Sequence, residues 1–427
     1  MTPLKFYTSF KMKEDSEISS TLPFVGLAVF LVFVYFEPSM WFPFIATYRV
    51  AFIVAILTLI LTVLYKGYVP KAFQNKLFVM LLIIAAISTL TSKYSEKSGE
   101  NLSLLFKEIV LYFLIIMVVN SRDYLKKLFY IVLTYAAINS IFTLILANFG
   151  QYQPGYKNPY RMVSYFGGIG DGPNQFGSLL LAVLPLPVTL IEGEKSWPKK
   201  ILLGIILLSF LLCITRTRSR GTFIGLIVVL MFILWEYRRK GWIIALILLF
   251  VVFTFFHTHS GYWERINTLK AEEIIKEEGR FKQIQYAIEL IRFYPLTGVG
   301  IGNFIQAKSD LLGMNPEEKL TYHVAHNAYL EVGAEIGILG MMVFILLIVI
   351  SIIDSYSTEK YLKDREGLCF FYEISKGIRL GFIGFAVSIF FLSEQYNSIL
   401  YQWIALIVAL KTLANSQKSL ERQKVRK

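Results

Sequence analysis

Long apolar runs alternate with short polar breaks from about residue 22 to residue 411. A bilayer core about 30 Å thick takes about 20 apolar residues per spanning helix. Runs approaching that length recur at 22–37, 42–65, 76–91, 103–119, 128–148, 174–191, 200–215, 221–237, 241–257, 327–353, 377–393 and 396–411. The pattern predicts an all-α polytopic membrane protein, with about 12 transmembrane helices in a single membrane domain spanning 1–427. Several runs are short or broken by Pro or Gly, which packed neighbours tolerate. Residues 1–20 are polar and no small-residue cleavage site follows the first run, so that run reads as a retained helix rather than a signal peptide.

The breaks set the orientation. Three basic residues fall in 238–240, four in 354–376 and five in 412–427, whereas 38–41 and 394–395 hold none. The positive-inside rule then places both termini in the cytoplasm. The one large hydrophilic excursion, 258–325, becomes an extracytoplasmic loop with helices of its own. Within it, Phe281, Ile284, Ile288 and Ile291 recur at helical spacing. Pro295 and the Gly298-Val299-Gly300-Ile301-Gly302 run then stop that helix in a tight turn. Those glycines follow no strand, so a nucleotide-binding role has little support.

Composition agrees with the membrane reading, since 55% of the 427 residues are hydrophobic and 17% are charged. The net charge of +13 does not point to nucleic acid. The basic residues sit in inter-span breaks and in the tail Lys418–Lys427, where an anionic lipid surface accounts for them. Cys213 and Cys369 fall on opposite sides of the membrane and cannot pair.

Two stretches carry candidate chemistry. Arg216, Arg218 and Arg220 crowd one short outer break, on the face that normally avoids basic residues; an anionic ligand explains them, and so does contact with lipid phosphate. His326 opens the tenth span, with Glu331 and Glu335 one turn apart behind it and a small-residue stripe of Gly333, Gly337 and Gly340. An imidazole there suits a general base near neutral pH, or simply lines the interface. Arg49, inside the outer end of the second span, faces a cavity or snorkels to the interface. The histidines at 257, 259, 323 and 326 could be drawn as a zinc site, but without the local Cys or carboxylate support such sites normally show. Neither metal nor cofactor is expected.

The run from His326 through Asn327, Tyr329 and Leu330 to Glu335, Gly337 and Gly340 resembles the signature of the O-antigen ligase and polymerase superfamily of bacterial membrane glycosyltransferases. Ser219-Arg220-Gly221, Gly279-Arg280, Pro295–Phe304 and Asp171-Gly172-Pro173-Asn174 resemble further blocks of that family, in order. The resemblance implies a catalytic base at His326, and pyrophosphate-binding arginines at Arg220, Arg280 and, less closely matched, Arg161. It implies an active site on the outer face of the inner membrane. The partners implied are a polyprenyl-pyrophosphate glycan donor and, as acceptor, another lipid-linked glycan or lipid A–core. A protein acceptor is an alternative within the family; a transporter or flippase for an anionic lipid-linked substrate is the rival outside it.

Overall fold

The computed structural model describes residues 21–65, 67–154, 156, 161–237, 279–313, 324–365 and 367–425. Among these, every regular element is helical. In chain order they are α1 (Thr21–Phe36), α2 (Pro43–Thr47), α3 (Val50–Leu64), α4 (Phe73–Thr91), α5 (Ser95–Val118), α6 (Arg122–Asn148), α7 (Pro173–Val183), α8 (Pro185–Gly193), α9 (Trp197–Thr217) and α10 (Arg220–Glu236). After the undescribed stretch come α11 (Arg280–Phe293), α12 (Phe304–Leu311), α13 (Ala328–Leu362), α14 (Cys369–Ser388) and α15 (Ser398–Val425). Among the described residues, seven segments are long and apolar enough to cross a membrane: α4, α5, α6, the α7–α8 pair, α9, α13 and α15. α1 and α3 are shorter apolar helices. The ninth predicted span, 241–257, lies outside the described residues. The chain is thus a multi-pass membrane protein, with large apolar side chains such as Val79, Ile83, Ile87 and Leu90 of α4 exposed along one face.

Three predicted features take a different form. The second span is broken: Arg49 adopts a left-handed conformation (φ 49°) between α2 and α3, and its side chain is exposed rather than turned into a cavity. The loop between the last two spans runs from Ile389 to Asn397 instead of 394–395, because the polar run Ser393–Ser398 carries its own hydrogen bonds outside the helices. In α11 the buried face is Gln283, Tyr286, Ala287 and Leu290; Phe281 and Ile288 are exposed, and Ile284 and Ile291 are half-buried.

α13 is the axis of the site, and it is not continuous. Ile336 and Gly337 leave helical geometry, with Gly337 at φ 80°. The Pro295–Gly302 run fills the break. Val299 and Gly300 donate their N–H groups to the carbonyls of Ala334 and Glu335 at 3.0 and 2.9 Å, and Ile338 N–H donates to Pro295 O at 2.9 Å. Ser88 Oγ adds a bond to Glu335 O at 2.8 Å. Backbone meets backbone so closely that a Cβ on Gly298 (φ 67°) would lie 2.3 Å from Glu335 O, and one on Gly337 2.3 Å from Leu296 O. The Gly-x-Gly-x-Gly pattern serves this junction, and Gly337 belongs to it rather than to a helix-packing stripe.

α10 and α13 both start at one end of the bundle and finish at the other, where Glu236 and Glu359 converge on Arg379 of α14. Three basic groups there are paired. Arg379 meets Glu236 and Glu359 at 2.5 Å each, Lys376 meets Glu236 at 3.7 Å, and Lys411 meets Asp354 at 2.6 Å. A buried cation without such partners would pay a large desolvation cost.

Candidate functional site

At the opposite end, where α10 and α13 begin, the arrangement of charge is reversed. His326 precedes α13 in a left-handed conformation (φ 52°), and Asn327 caps the helix by accepting from Leu330 N–H at 3.0 Å. The turn is pinned to the end of α14 and the loop after it. His326 N–H donates to Ser393 Oγ at 3.1 Å, Ala328 N–H to Ile389 O at 3.0 Å, and Tyr329 OH to Ala386 O at 2.8 Å. Glu331 lies buried beneath the turn. Its Oε2 accepts from Ala325 N–H at 3.1 Å and from the Ser393 hydroxyl. Glu335 is buried one turn on and accepts from Tyr396 OH at 2.6 Å. Glu331, expected to contact substrate, holds the backbone that carries His326.

The arginines assemble around the start of α10. Ser219 caps that helix, its Oγ accepting from Thr222 N–H. Gly221 allows the helix to sit against the loop after α14, since a Cβ there would come within 2.7 Å of Leu392 and 3.0 Å of Phe391. The residue after Arg220 thus packs on Phe391 and Leu392, next in the chain to Ser393, which anchors His326. Arg161 is held from the other side: Nε donates to Thr217 O at 3.0 Å, Nη2 to Asn174 Oδ1 at 3.1 Å, and Met162 N–H to Arg216 O at 3.0 Å. The Asp171–Asn174 motif thus supplies the residue that orients Arg161, with Pro173 starting α7. Arg280, first residue of α11, keeps an accessible side chain. Its pKa is lowered, first by the protein packed around the guanidinium and then by repulsion from Arg220 and Arg161. Three guanidiniums therefore share one field. Among the described residues no carboxylate forms an ion pair with Arg220 or Arg280.

The other predicted residues sit at the margin. Arg218 is half-buried at the α9–α10 junction, with φ 51°. Arg216 is exposed and donates to Asn148 Oδ1 at 3.3 Å. Cys213 is buried, Cys369 exposed, and both are free. His257, His259 and His323 lie outside the described residues. Ser393 and Glu394 are not among the residues that the sequence singles out, although they belong to a run of six polar residues between two apolar spans. Glu394 is buried, its Oε2 accepting from Asn397 Nδ2 at 2.9 Å. Burial pushes its carboxyl up to about 7, with a smaller push from Glu331, against the pull of the Asn397 bond.

A clustered guanidinium field beside a histidine whose backbone is fixed is an arrangement for binding a multiply charged anion next to a proton acceptor. Residues 203–345 match the family model described as O-antigen ligase. The match runs from α9 into α13 and contains Arg220, Arg280 and His326; it supports the O-antigen ligase and polymerase superfamily for this chain. That family implies a glycosyltransferase-type enzyme acting on lipid-linked glycans. No curated protein matches the chain.

Proposed function

We propose that this protein transfers a glycan from a polyprenyl-pyrophosphate donor to an acceptor sugar hydroxyl at the outer face of the bacterial inner membrane. The observation that carries the proposal is the grouping of Arg161, Arg220 and Arg280, with no carboxylate ion-paired to Arg220 or Arg280 among the described residues, in a protein whose other end pairs buried Lys376 and Arg379. As the glycosidic C–O bond breaks, the pyrophosphate takes the bonding electrons. Planar guanidinium forks bind its oxygens and stabilise that charge without a metal. His326 accepts the proton of the incoming hydroxyl, whose oxygen forms the new bond from the opposite face and inverts the anomeric centre. A pyrophosphate leaves without prior protonation, so no general acid is required. Arg218 extends the basic surface.

A transporter would use the free backbone of a broken helix to hold its cargo. α13 is broken, but Val299 and Gly300 occupy the carbonyls of Ala334 and Glu335, which favours the enzyme.

The test uses purified protein in lipid nanodiscs with lipid-pyrophosphate oligosaccharide repeats. His326→Ala is expected to insert normally and to lose transfer. Wild-type turnover in that variant would refute the base assignment. A ladder of lengths from repeats alone identifies a polymerase, and a product only with lipid A–core added identifies a ligase. Transfer to a peptide instead would show a protein acceptor.

A further inference from the structure

A cavity of about 300 Å³ opens between the start of α7 and the loop before α15. Its wall is formed by Ser393, Glu394, Asn397 and Ser398 from the loop before α15, facing Gln175 of α7 and Ile169. With Tyr396 also in the wall, the lining contains a carboxyl, two carboxamides and three hydroxyls, and among the described residues no lysine or arginine. It is therefore unsuited to the anion that the arginines attract, and suited to a neutral ligand with many hydroxyls. Ser393 joins it to the site already described, because the same hydroxyl holds His326 N–H at 3.1 Å. Gln175 follows Asn174, the residue that orients Arg161. The pocket thus lies within one residue of both anchors. Its polar groups are prearranged: Asn397 Nδ2 donates to Glu394 Oε2 at 2.9 Å, and Ser398 Oγ donates to Glu108 Oε1 at 2.7 Å.

We infer that this pocket holds a neutral pyranose ring of a glycan substrate, with Glu394 accepting from ring hydroxyls and Gln175 and Asn397 completing the polar wall. The inference rests on the glycosyl-transfer reading and assigns it a sugar subsite. Carboxylate and carboxamide groups at the end of a small cavity are the few well-placed polar contacts that fix a ligand's orientation.

The experiment is saturation-transfer-difference NMR on the full chain in nanodiscs, with glucose, galactose, mannose and their N-acetylhexosamine counterparts as probes. At least one probe is expected to receive saturation. Glu394→Gln, which keeps the shape of the carboxyl, and Gln175→Ala at the rim should each weaken binding about tenfold, the loss expected for one good hydrogen bond. Arg220→Ala should bind the probe as wild type does, which separates this subsite from the pyrophosphate clamp and keeps the result readable even if transfer fails. Probe binding that persists with sugar-free undecaprenyl pyrophosphate and with the glycan-bearing donor assigns the subsite to the acceptor. Displacement by the glycan-bearing donor alone assigns it to the donor's own ring, and either result supports the pocket. The inference is overturned if no probe receives saturation, or if Glu394→Gln and Gln175→Ala both bind as tightly as wild type.

Discussion

The backbone N–H of His326 donates to the side-chain oxygen of Ser393 at 3.1 Å, and the same hydroxyl donates to Glu331. The turn that carries the proposed base is thus fixed by the loop after α14 and by α13 itself. Ser393→Ala removes the shared hydroxyl and leaves the imidazole in place. It should lower turnover by up to about a hundredfold, the effect of displacing a catalytic group by an ångström, while donor affinity stays near wild type. Ser393→Thr should restore most of the rate. A rate unchanged in Ser393→Ala would show that the turn is held without it.

Arg220→Lys and Arg280→Lys should each lose about a hundredfold in turnover, because a point charge does not replace a planar fork on a pyrophosphate. Donor binding should weaken alongside. If both lysine variants bind and turn over donor normally, the clamp lies elsewhere.

Turnover should be indifferent to EDTA, since the guanidiniums supply the charge that a divalent ion supplies in many phosphate-transfer sites. Activity lost to the chelator and recovered with zinc would bring the histidines at 257, 259, 323 and 326 back into consideration.

Glu394 makes stability depend on pH. Its folded pKa is raised from 4.5 to about 7, so the folded state holds the proton more tightly than the unfolded chain. The resulting stabilisation is fully present below pH 4.5 and is lost as pH rises through about 7. Thermal unfolding in detergent should show a melting temperature that falls across this window, and Glu394→Gln should flatten the fall. An identical slope in the two proteins would place the titrating group elsewhere.

Gly298→Ala should destabilise the protein far more than Gly313→Ala. Both glycines have positive φ, 67° and 63°, so alanine costs each roughly 1–2 kcal/mol of backbone strain. Only at Gly298 does the new methyl also meet a backbone, 2.3 Å from Glu335 O, whereas nothing lies within 4 Å at Gly313. Equal melting temperatures for the two variants would mean that the α13 junction yields easily.

Most helices were legible because hydropathy reports spans directly: 76–91 and 221–237 from the sequence correspond to Phe73–Thr91 and Arg220–Glu236. The breaks were not. Arg49 adopts φ 49° inside an otherwise uniform apolar run, and nothing in the local composition marks a bend there. Gly337 reads as one of three evenly spaced small residues, and its role appears only when Pro295–Gly302 arrives from a distant part of the chain. The α11 face was misjudged for a related reason. Ile284 and Ile291 are only half-buried and Phe281 exposed, while Gln283, apolar by no scale, is buried and accepts from Lys308 at 3.0 Å. At the site, the residue types that do chemistry stood out singly: His326 by its motif, and the arginines by lying where basic residues are disfavoured. Ser393 and Glu394 did not, since one serine or glutamate in a polar loop carries no periodic signal.

The junction in α13 also bears on how the chain is made. Until residues 295–302 fold back against it, the carbonyls of Ala334 and Glu335 lack the N–H groups of Val299 and Gly300, although Ser88 Oγ still reaches Glu335 O, and unsatisfied backbone groups are costly in a membrane. Insertion of the spans is therefore not the last step of maturation. A newly inserted molecule stays incomplete until its loop docks. Substitutions at the glycines of the loop should consequently reduce the amount of protein that accumulates in cells before they alter the chemistry of the molecules that survive.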